Sequence, residues 1–519
     1  MRDERARRVF YRGGHVRTVG RRDATAILTV GTRVGWVGSD TGITPDDMDE
    51  VVELEGALVT AAFVDAHAHL TQSGLALETL GLRQIRDRVD FLEALAAFSA
   101  GADKVVLGHG WDETTWPDAT LPTRPEIDRA VEHRIAYLAR VDVHSALVSS
   151  ALVDAIPDLA SEPGWTPDGP VARDAHHRAR SAVQAMLPRS VRTAAVRAAL
   201  DRAAACGIGL VHDMQAPHVS GPDESDIVVA VAAEPTSPSV VIYWGALAPT
   251  AEPPRGVLGL AGDLCVDGSI GSRTAALTAP YSDASTTGCQ YLSEDEITGH
   301  VVTCTRDGVQ AGFHVIGDAA HRAVLSGFRR AAGIVGRDAL IARRHRLEHV
   351  EMIAASDIAT LAEYGVVASV QPAFDAAWGG PDDLYARRLG PDRAVEMNPY
   401  ASMHRAGVVL AFGSDTPVTP FDPWGGVRAA MTHGVPAQRL SSAVAFDAHT
   451  RGGYRATGDD NGGVLAAGHA ATLSVWHIPA GLVRDDGGPF PILSAGAPLP
   501  TCRRTVVDGR TIFNEEDVA

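Results

Sequence analysis

The feature that most narrows the fold is a unit of grammar that recurs through the middle of the chain: a helical pattern, a glycine, an apolar strand, then a polar residue. "SEDEITGHVVTCTRDG" runs into "FHVIGD", with Ser293 and Glu296 at capping-box spacing. "HRAVLSGFRRAAGIVG" precedes "RHRLEHVE", "SDIATLAEYG" leads into "VVASVQP", and "YASMHRAG" leads into "VVLAFGSD", with Gly365 and Gly407 placed as helix ends. Upstream, "TAAVRAALDRAAACG" enters "IGLVHDM" in the same way. Helix and strand alternating like this mean parallel βαβ units, and this many of them predict an α/β chain closed into a (β/α)8 TIM-like barrel. An open doubly wound sheet is the alternative, and no GxGxxG or GxxxxGK[ST] stands at any strand-to-helix turn to support it.

At 519 residues the chain exceeds one small domain, and both of its ends depart from the barrel rhythm. "RVFYRGGHVRTV" and "AILTVGTRVGWVG" read as hairpins near the start; near the end "ATLSVWHI" is followed by "RRTVVDGRTIF", where Asp508-Gly509 is a two-residue hairpin signal. Residues 1–60 and 455–519 are therefore expected to form one small β-sandwich beside a barrel of residues 61–454. The Pro-rich stretch from about 112 to 195, with "WPDATLPTRPEID" and "SEPGWTPDGP", is expected to be an insertion over the barrel mouth.

Chemistry enters at the strand ends. In "AFVDAHAHL" alternate side chains share a face, so Phe63, Asp65, His67 and His69 point one way and Val64, Ala66 and Ala68 the other. One HxH is weak evidence in a chain of 20 histidines. The other strands strengthen it: His314 opens "HVIGD", His349 closes "RLEH" and Asp415 closes "AFGSD", each after an apolar run. Imidazoles and a carboxylate at successive C-terminal strand ends are what a catalytic divalent ion requires. Asp65, one step deeper than His67, is expected to support the site from behind.

Taken together, "FVDAHAHL", "GHGWDETTWP", "PTRPEID", "RVDVHSALVSS", "VHDM", "VDGSIGSRTAAL", "HVIGDAA", "RLEHVE", "SVQP", "GSDTPVTPFDPW" and "GGVLAAGHAATLSVW" resemble the metal-dependent amidohydrolase superfamily, in its amidohydrolase-3, YtcJ-like branch. The resemblance implies strand-one ligands His67 and His69, fifth- and sixth-strand ligands His314 and His349, and the last-strand Asp415. It also exposes a departure. Many relatives carry, four positions before the aspartate of "DGSxGSR", a lysine whose carbamylated side chain bridges two metals; here that position is Asp263. Lys104 is the sole lysine of the chain and precedes "VVLGHGW", at the start of an expected second strand and so at the wrong end for catalysis. Either Asp263 is a shorter bridge or terminal ligand in a two-ion site, or one ion is held by His67, His69, His314 and Asp415 with His349 facing substrate; the sequence reading favours one ion.

The resemblance implies a hydrolase that attacks an amide-type C–N bond (amide, formamide, carbamate or cyclic amide) with a metal-activated water, zinc being the expected cofactor. Asp415 would move the proton and His349 would polarise the carbonyl. Ester or lactone hydrolysis, or deamination of a heterocycle, would use the same centre. A silent ligand-binding homologue is the reading of another class, kept open by the missing lysine and opposed by four retained histidines and Asp415.

Further candidates are less specific. His109, Trp111 and Asp112 in "GHGWDE", Arg273 as a clamp on a substrate carbonyl or carboxylate, and Trp378 beside Gly379 and Gly380 are expected to contact substrate. His212 and Asp213 are expected to pair behind the ligands, while Asp142 and His144 reach the substrate only if the insertion folds over the mouth. Asp267 and Cys265 alternate with Asp263 and could face inward, the cysteine as core filling. His176 and His177, in an Arg-rich stretch, are expected to be solvated.

The net charge of −18 is spread along the chain, which argues against nucleic-acid or anionic-membrane partners and leaves a small-molecule substrate. Five scattered cysteines without a CxxC pair fit a reducing, cytoplasmic setting, and neither an export signal nor a run of about 18 apolar residues is read. Family precedent allows a homo-oligomer.

Overall fold

The computed structural model describes residues 6–44, 47–101, 105–221, 223–248, 250 and 253–517. Phe63–Ala68, Ile208–Gln215, Ser239–Trp244, Val257–Leu260, Gln310–Val315, Arg346–His349, Val367–Val370 and Val409–Phe412 form one parallel sheet in chain order, here called barrel strands one to eight. The sheet closes on itself just beyond the eighth strand: Asp415 N–H donates to the His67 carbonyl (2.7 Å) and His69 N–H to the Thr416 carbonyl (3.0 Å). This is the TIM-like barrel that the helix–glycine–strand grammar predicts.

The local chemistry acts as that grammar requires. Ser293 and Glu296 complete both bonds of the capping box on the helix Glu294–Asp307, and Gly308 (φ 76°) ends it in the left-handed region before strand five. Strands one, two, five, six and seven are buried along their whole length, as expected of parallel strands covered on both faces. Gly413 sits where a Cβ would meet His67 N at 2.5 Å, so this glycine lets strand eight bring Asp415 against strand one.

The stretch between barrel strands one and two forms a separate five-stranded sheet of Leu80–Gly81, Val105–Trp111, Ile135–Arg140, Ser145–Val148 and Val171–Ala172. "VVLGHGW" therefore belongs to this sheet and not to the barrel, and the barrel's second strand is "IGLVHDMQ". Lys104 lies outside the described residues. Ionic contacts dock the sheet on the barrel loops. Asp142 accepts from the Ser269 and Ser272 hydroxyls (2.7 and 2.8 Å), and buried Arg140 is held by Asp112, Glu113 and Asp142 at 2.9–3.1 Å. Arg388, from the region after strand seven, reaches Glu113 (2.6 Å) and Asp283 (2.7 Å).

Strands from both chain ends interleave. Leu58–Ala61 pairs with Leu473–His477, which pairs with Thr501–Val507, while Arg8–Arg12, Ala26–Val30, Arg33–Gly38 and Glu50–Glu53 make a second sheet. Val9, Ile27, Val59, Leu473 and Val506 share one apolar cluster between them. "RVFYRGGHVRTV" is not a hairpin: Arg8–Arg12 and His15–Val16 enter different sheets, because Gly14 packs so close to the Ala57 carbonyl (2.5 Å from a Cβ placed there) that the chain crosses over at that point. Among the described residues no helix is long and apolar enough to cross a membrane.

Candidate metal centre

The barrel brings His67, His69, Asp263, His314, His349 and Asp415 to one place at its C-terminal mouth. Asp415 Oδ1 lies 3.4 Å from His67 Nε2 and 3.2 Å from His69 Nε2. Asp263 approaches His67 Nε2 at 3.6 Å, His69 Nε2 at 3.3 Å and His314 Nδ1 at 3.8 Å. Two trios, His67–His69–Asp415 and His67–Asp263–His349, are tight enough to hold an ion. Four bonds of about 2.1 Å in a tetrahedral array would put donor atoms about 3.4 Å apart, and the four histidine–aspartate separations around His67 and His69 straddle that value.

Each imidazole is gripped from behind, which decides which nitrogen faces the centre. His67 Nδ1 meets Glu348 Oε2 (2.9 Å), His69 Nδ1 meets the Met214 carbonyl (2.9 Å), and His349 Nδ1 meets Gln371 Oε1 (2.9 Å). These acceptors hold a proton at Nδ1, so Nε2 is the nitrogen that a cation would take once any proton there is displaced. His314 is held the other way, with Nε2 at the Gly268 carbonyl (3.3 Å) and Nδ1 toward Asp263. His349, expected to polarise the carbonyl, also stands in the trio with His67 and Asp263 that is placed to hold an ion.

His67 Nε2, Asp263 Oδ1 and Asp415 Oδ1 are buried and have no hydrogen-bond partner. Three acceptors facing one another repel unless positive charge lies between them, so the residues present fit a cation. The electrostatics agree. Burial opposes charge on His69 and His314, yet Asp263 holds both at about 9, helped at His69 by Asp415 and at His314 by Asp267. Against its own burial, Asp263 is kept well below the usual carboxylate range by these histidines. Burial drives His349 well down, with His314 and His67 adding to the effect. A divalent ion would replace the protons this cluster holds.

Backbone strain sits at the same place. His349 (φ 72°), Val350 (φ 52°) and Asp415 (φ 54°) occupy the left-handed region, and for a β-branched valine that is a genuine outlier. Each costs on the order of 1–3 kcal/mol and persists because the surroundings over-determine it.

Several supports escape a sequence reading. Glu348 and Arg346 are fully buried beneath His67; the guanidinium bonds both Glu348 oxygens (2.5 and 3.0 Å) and lies 4.4 Å over the Tyr243 ring. Two charges of opposite sign, two residues apart in an apolar parallel strand, were the available signal. Glu351, two residues past His349, is also buried, and burial lifts it to about 7. Asp65 accepts N–H bonds from His67 and Ser414, tying strand one to the closing loop. Asp267 accepts three N–H bonds from Ala276, Ile316 and Gly317.

The remaining candidates divide. Trp378 lines the cavity against His314, His349 and Asp415, together with Asp142 and His144 of the inserted sheet. His109 lines a second, more apolar cavity on the His69 side, its Nε2 at the Pro417 carbonyl (2.9 Å), while burial and the nearby Arg83 hold it at about 4. Trp111 is not at the site: it is buried in the inserted sheet's own core and donates to the Leu138 carbonyl (2.8 Å), because its strand belongs to that sheet. Arg273, the expected substrate clamp, is paired with Asp283 through two hydrogen bonds (3.0 and 2.7 Å). His212 bonds Arg346 while Asp213 bonds Leu70 N–H and Gln215, so these neighbours point apart and do not pair. Cys265 is buried near His218 (3.7 Å). His176 is not solvated but buried against the Tyr137 hydroxyl (2.7 Å), and His177 lies tilted beside His218 (4.5 Å between ring centres), since the inserted sheet covers their helix. A wider cleft bounded by Arg17, Leu410 and Phe446 lies at the other end of the barrel, the end that serves stability.

The model of the Amidohydrolase family matches residues 50–513. The protein LONG AFTER FAR-RED 3 of Arabidopsis thaliana is 27% identical over 495 residues, covering 86% of this chain and 82% of that protein. YtcJ of Bacillus subtilis is 25% identical over 510 residues (90% and 91% covered), and the N-substituted formamide deformylase of Arthrobacter pascens is 21% identical over 515 residues (89% and 92%). A crystal structure of a metal-dependent hydrolase from Pyrococcus furiosus shares the fold, with a TM-score of 0.70 at 24% identity over 90% of this chain and 98% of that one.

Proposed function

Because this chain belongs to the amidohydrolase family, we propose that it hydrolyses an amide-type C–N bond, with secondary amides and formamides as the leading substrates, using one divalent ion, zinc by preference, on His67, His69, Asp263 and Asp415. The observation that carries the reading is the set of facing, unpartnered acceptors His67 Nε2, Asp263 Oδ1 and Asp415 Oδ1 at the barrel mouth. The formamide deformylase among the relatives supports the substrate class.

When bound, the ion supplies Lewis acidity toward a water and the scissile carbonyl. The chain's own groups do the rest. Asp415 accepts the proton that the attacking water loses and returns it to the leaving nitrogen as the C–N bond breaks. Glu348, Met214 and Gln371 fix the imidazoles so that no reorganisation is needed on binding. Cavities open on both sides of the centre, one toward Trp378 and one toward His109, which leaves room for a substituent on each side of the bond.

The test is a panel of N-formyl and N-acyl amines, cyclic amides, esters and aminated heterocycles, assayed with added Zn2+, Mn2+ or Fe2+ alongside metal analysis of purified protein. Amide or formamide turnover with about one ion per chain is expected. Turnover confined to esters or heterocycles would discard the substrate class, two ions per chain would make Asp263 a bridge, and tight metal without any turnover would favour a binding protein.

A further inference from the structure

The cavity on the His69 side of the centre has a cation in its wall and, among the described residues, no carboxylate. Half-buried Arg180 comes from the helix Arg173–Met186, where His176, Arg180 and Gln184 follow at four-residue spacing and so share a face. Among the described residues its side chain makes one hydrogen bond, from Nε to the His218 carbonyl (2.9 Å), and no ion pair. Both Nη groups are left over. The His218 ring supplies no anion, since burial and then the Arg180 charge hold it down at about 3. Asp263, whose field reaches His218, is already engaged with His67, His69 and His314. One turn on from Arg180, Gln184 is 5% exposed and its Oε1 has no partner. A terminal amide can present either its oxygen or its N–H at such a place.

Much of the remaining wall is aliphatic, with Leu75, Leu107, Val143, Val183 and Val219 in it beside His69. A second cleft shares Ala76, His109 and Pro417 with this cavity and repeats its charge pattern: Arg83 and Arg202 line it, and among the described residues no Asp or Glu does. Arg83 is satisfied by a carbonyl, that of Pro417 (2.6 Å), and not by a carboxylate. On a chain of net charge −18, two adjoining cavities with arginines and no acid are a local reversal of sign. Such a wall draws in anions. Two free Nη groups on one guanidinium match the two oxygens of a carboxylate, whereas a phosphate dianion would outnumber the donors this wall offers.

We infer that Arg180, with Gln184 beside it, is a carboxylate-binding subsite, and that the substrate arm entering on the His69 side ends in a carboxylate joined to the scissile amide by a short aliphatic spacer. The subsite stands on the cavity itself; the amide half rests on the hydrolase reading above and deepens it. The Nη groups donate to the two carboxylate oxygens, the Gln184 amide turns its N–H to one of them, and the spacer packs on the aliphatic wall. An uncharged arm would cover the guanidinium without pairing it, which is the source of the selectivity.

The probes are N-acetylglycine, N-acetyl-β-alanine and N-acetyl-γ-aminobutyrate, each beside its neutral primary carboxamide. Binding is read by calorimetry on chelated protein, where nothing turns over, and turnover by acetate release from zinc-loaded protein. For at least one spacer the carboxylate should bind about tenfold or more tighter than its carboxamide. Arg180→Gln, which keeps a donor for the His218 carbonyl, should bring that preference below about threefold. Arg180→Lys keeps the charge without the fork and should bring it below about fivefold, so it decides the matter if Arg180→Gln does not fold. Equal binding of acid and carboxamide at every spacer, or binding of neither, would overturn the subsite. So would a preference that survives both substitutions, which would assign the anion to protonated His69 and His314. Selective binding with no turnover of this series or of the panel above would leave the subsite standing and refute the hydrolase reading; acetate release without any preference would do the opposite.

Discussion

Asp415 faces His67 and His69 within the centre, and Glu348 grips His67 from behind. Asp415→Asn keeps the volume of the side chain but not its basicity, so turnover should fall by about 10²–10⁴-fold with the thermal unfolding curve little changed; near-normal rates would remove Asp415 from the mechanism. Glu348→Ala should weaken metal affinity by about 10–100-fold in a chelator competition. It should also cost about 3–5 kcal/mol in thermal unfolding, since Arg346 would be left buried without its carboxylate. The histidines give a pH signature. His69 and His314 stand near 9 in the ion-free fold, above the ordinary value of about 6.5 that they would regain on unfolding. Their stabilisation is therefore complete below pH about 6.5 and is lost as pH rises through about 9. Chelated protein should melt at progressively lower temperature across that window while its affinity for Zn2+ rises, and a flat melting profile would contradict the assignment. Among these residues the histidines and Asp415 were legible in the sequence because each ends an apolar run. Glu348, Gln371 and Glu351 were not, because their roles depend on partners from other strands and helices.

Among the elements, the barrel units were readable wherever a helix, its glycine and its strand lie together in sequence. The inserted sheet was not. Val105–Trp111 is a glycine-bounded apolar strand like those of the barrel, and no local pattern says which sheet a parallel strand will join; Trp111 was misplaced along with its strand. The pairing of Arg273 was not legible either, though Asp283 lies in the same connection. Buried Arg140 ties Asp112, Glu113 and Asp142 of the inserted segment together, and so supports the contacts that Asp142 and Glu113 make to Ser269, Ser272 and Arg388 of the barrel loops. Arg140→Leu removes the cation these buried carboxylates share and should cost about 3–5 kcal/mol. Thermal unfolding measures that loss, and limited proteolysis should show new cleavage between residues 80 and 188. Unchanged stability would mean that the apolar contacts alone seat the sheet.

For the molecule as a whole, the division of labour follows the direction of the strands. Their N-terminal ends meet the interleaved sheets of the two chain ends, where Leu58, Val475 and Val506 are buried. Their C-terminal ends meet the centre, its strained residues and the inserted sheet. Asp263 gives the arrangement a physiological consequence. A bridging group made by carbamylating lysine must be assembled from dissolved carbon dioxide and falls apart when the gas is scarce. A carboxylate encoded in the chain is present from synthesis onward. Chelated protein should therefore recover full activity on adding the cation alone, equally fast in degassed and in bicarbonate-saturated buffer, and a dependence on bicarbonate would show that Asp263 does not supply the anion. With Asp263 as the proposed anion, assembly of the centre would need the cation alone and no dissolved carbon dioxide.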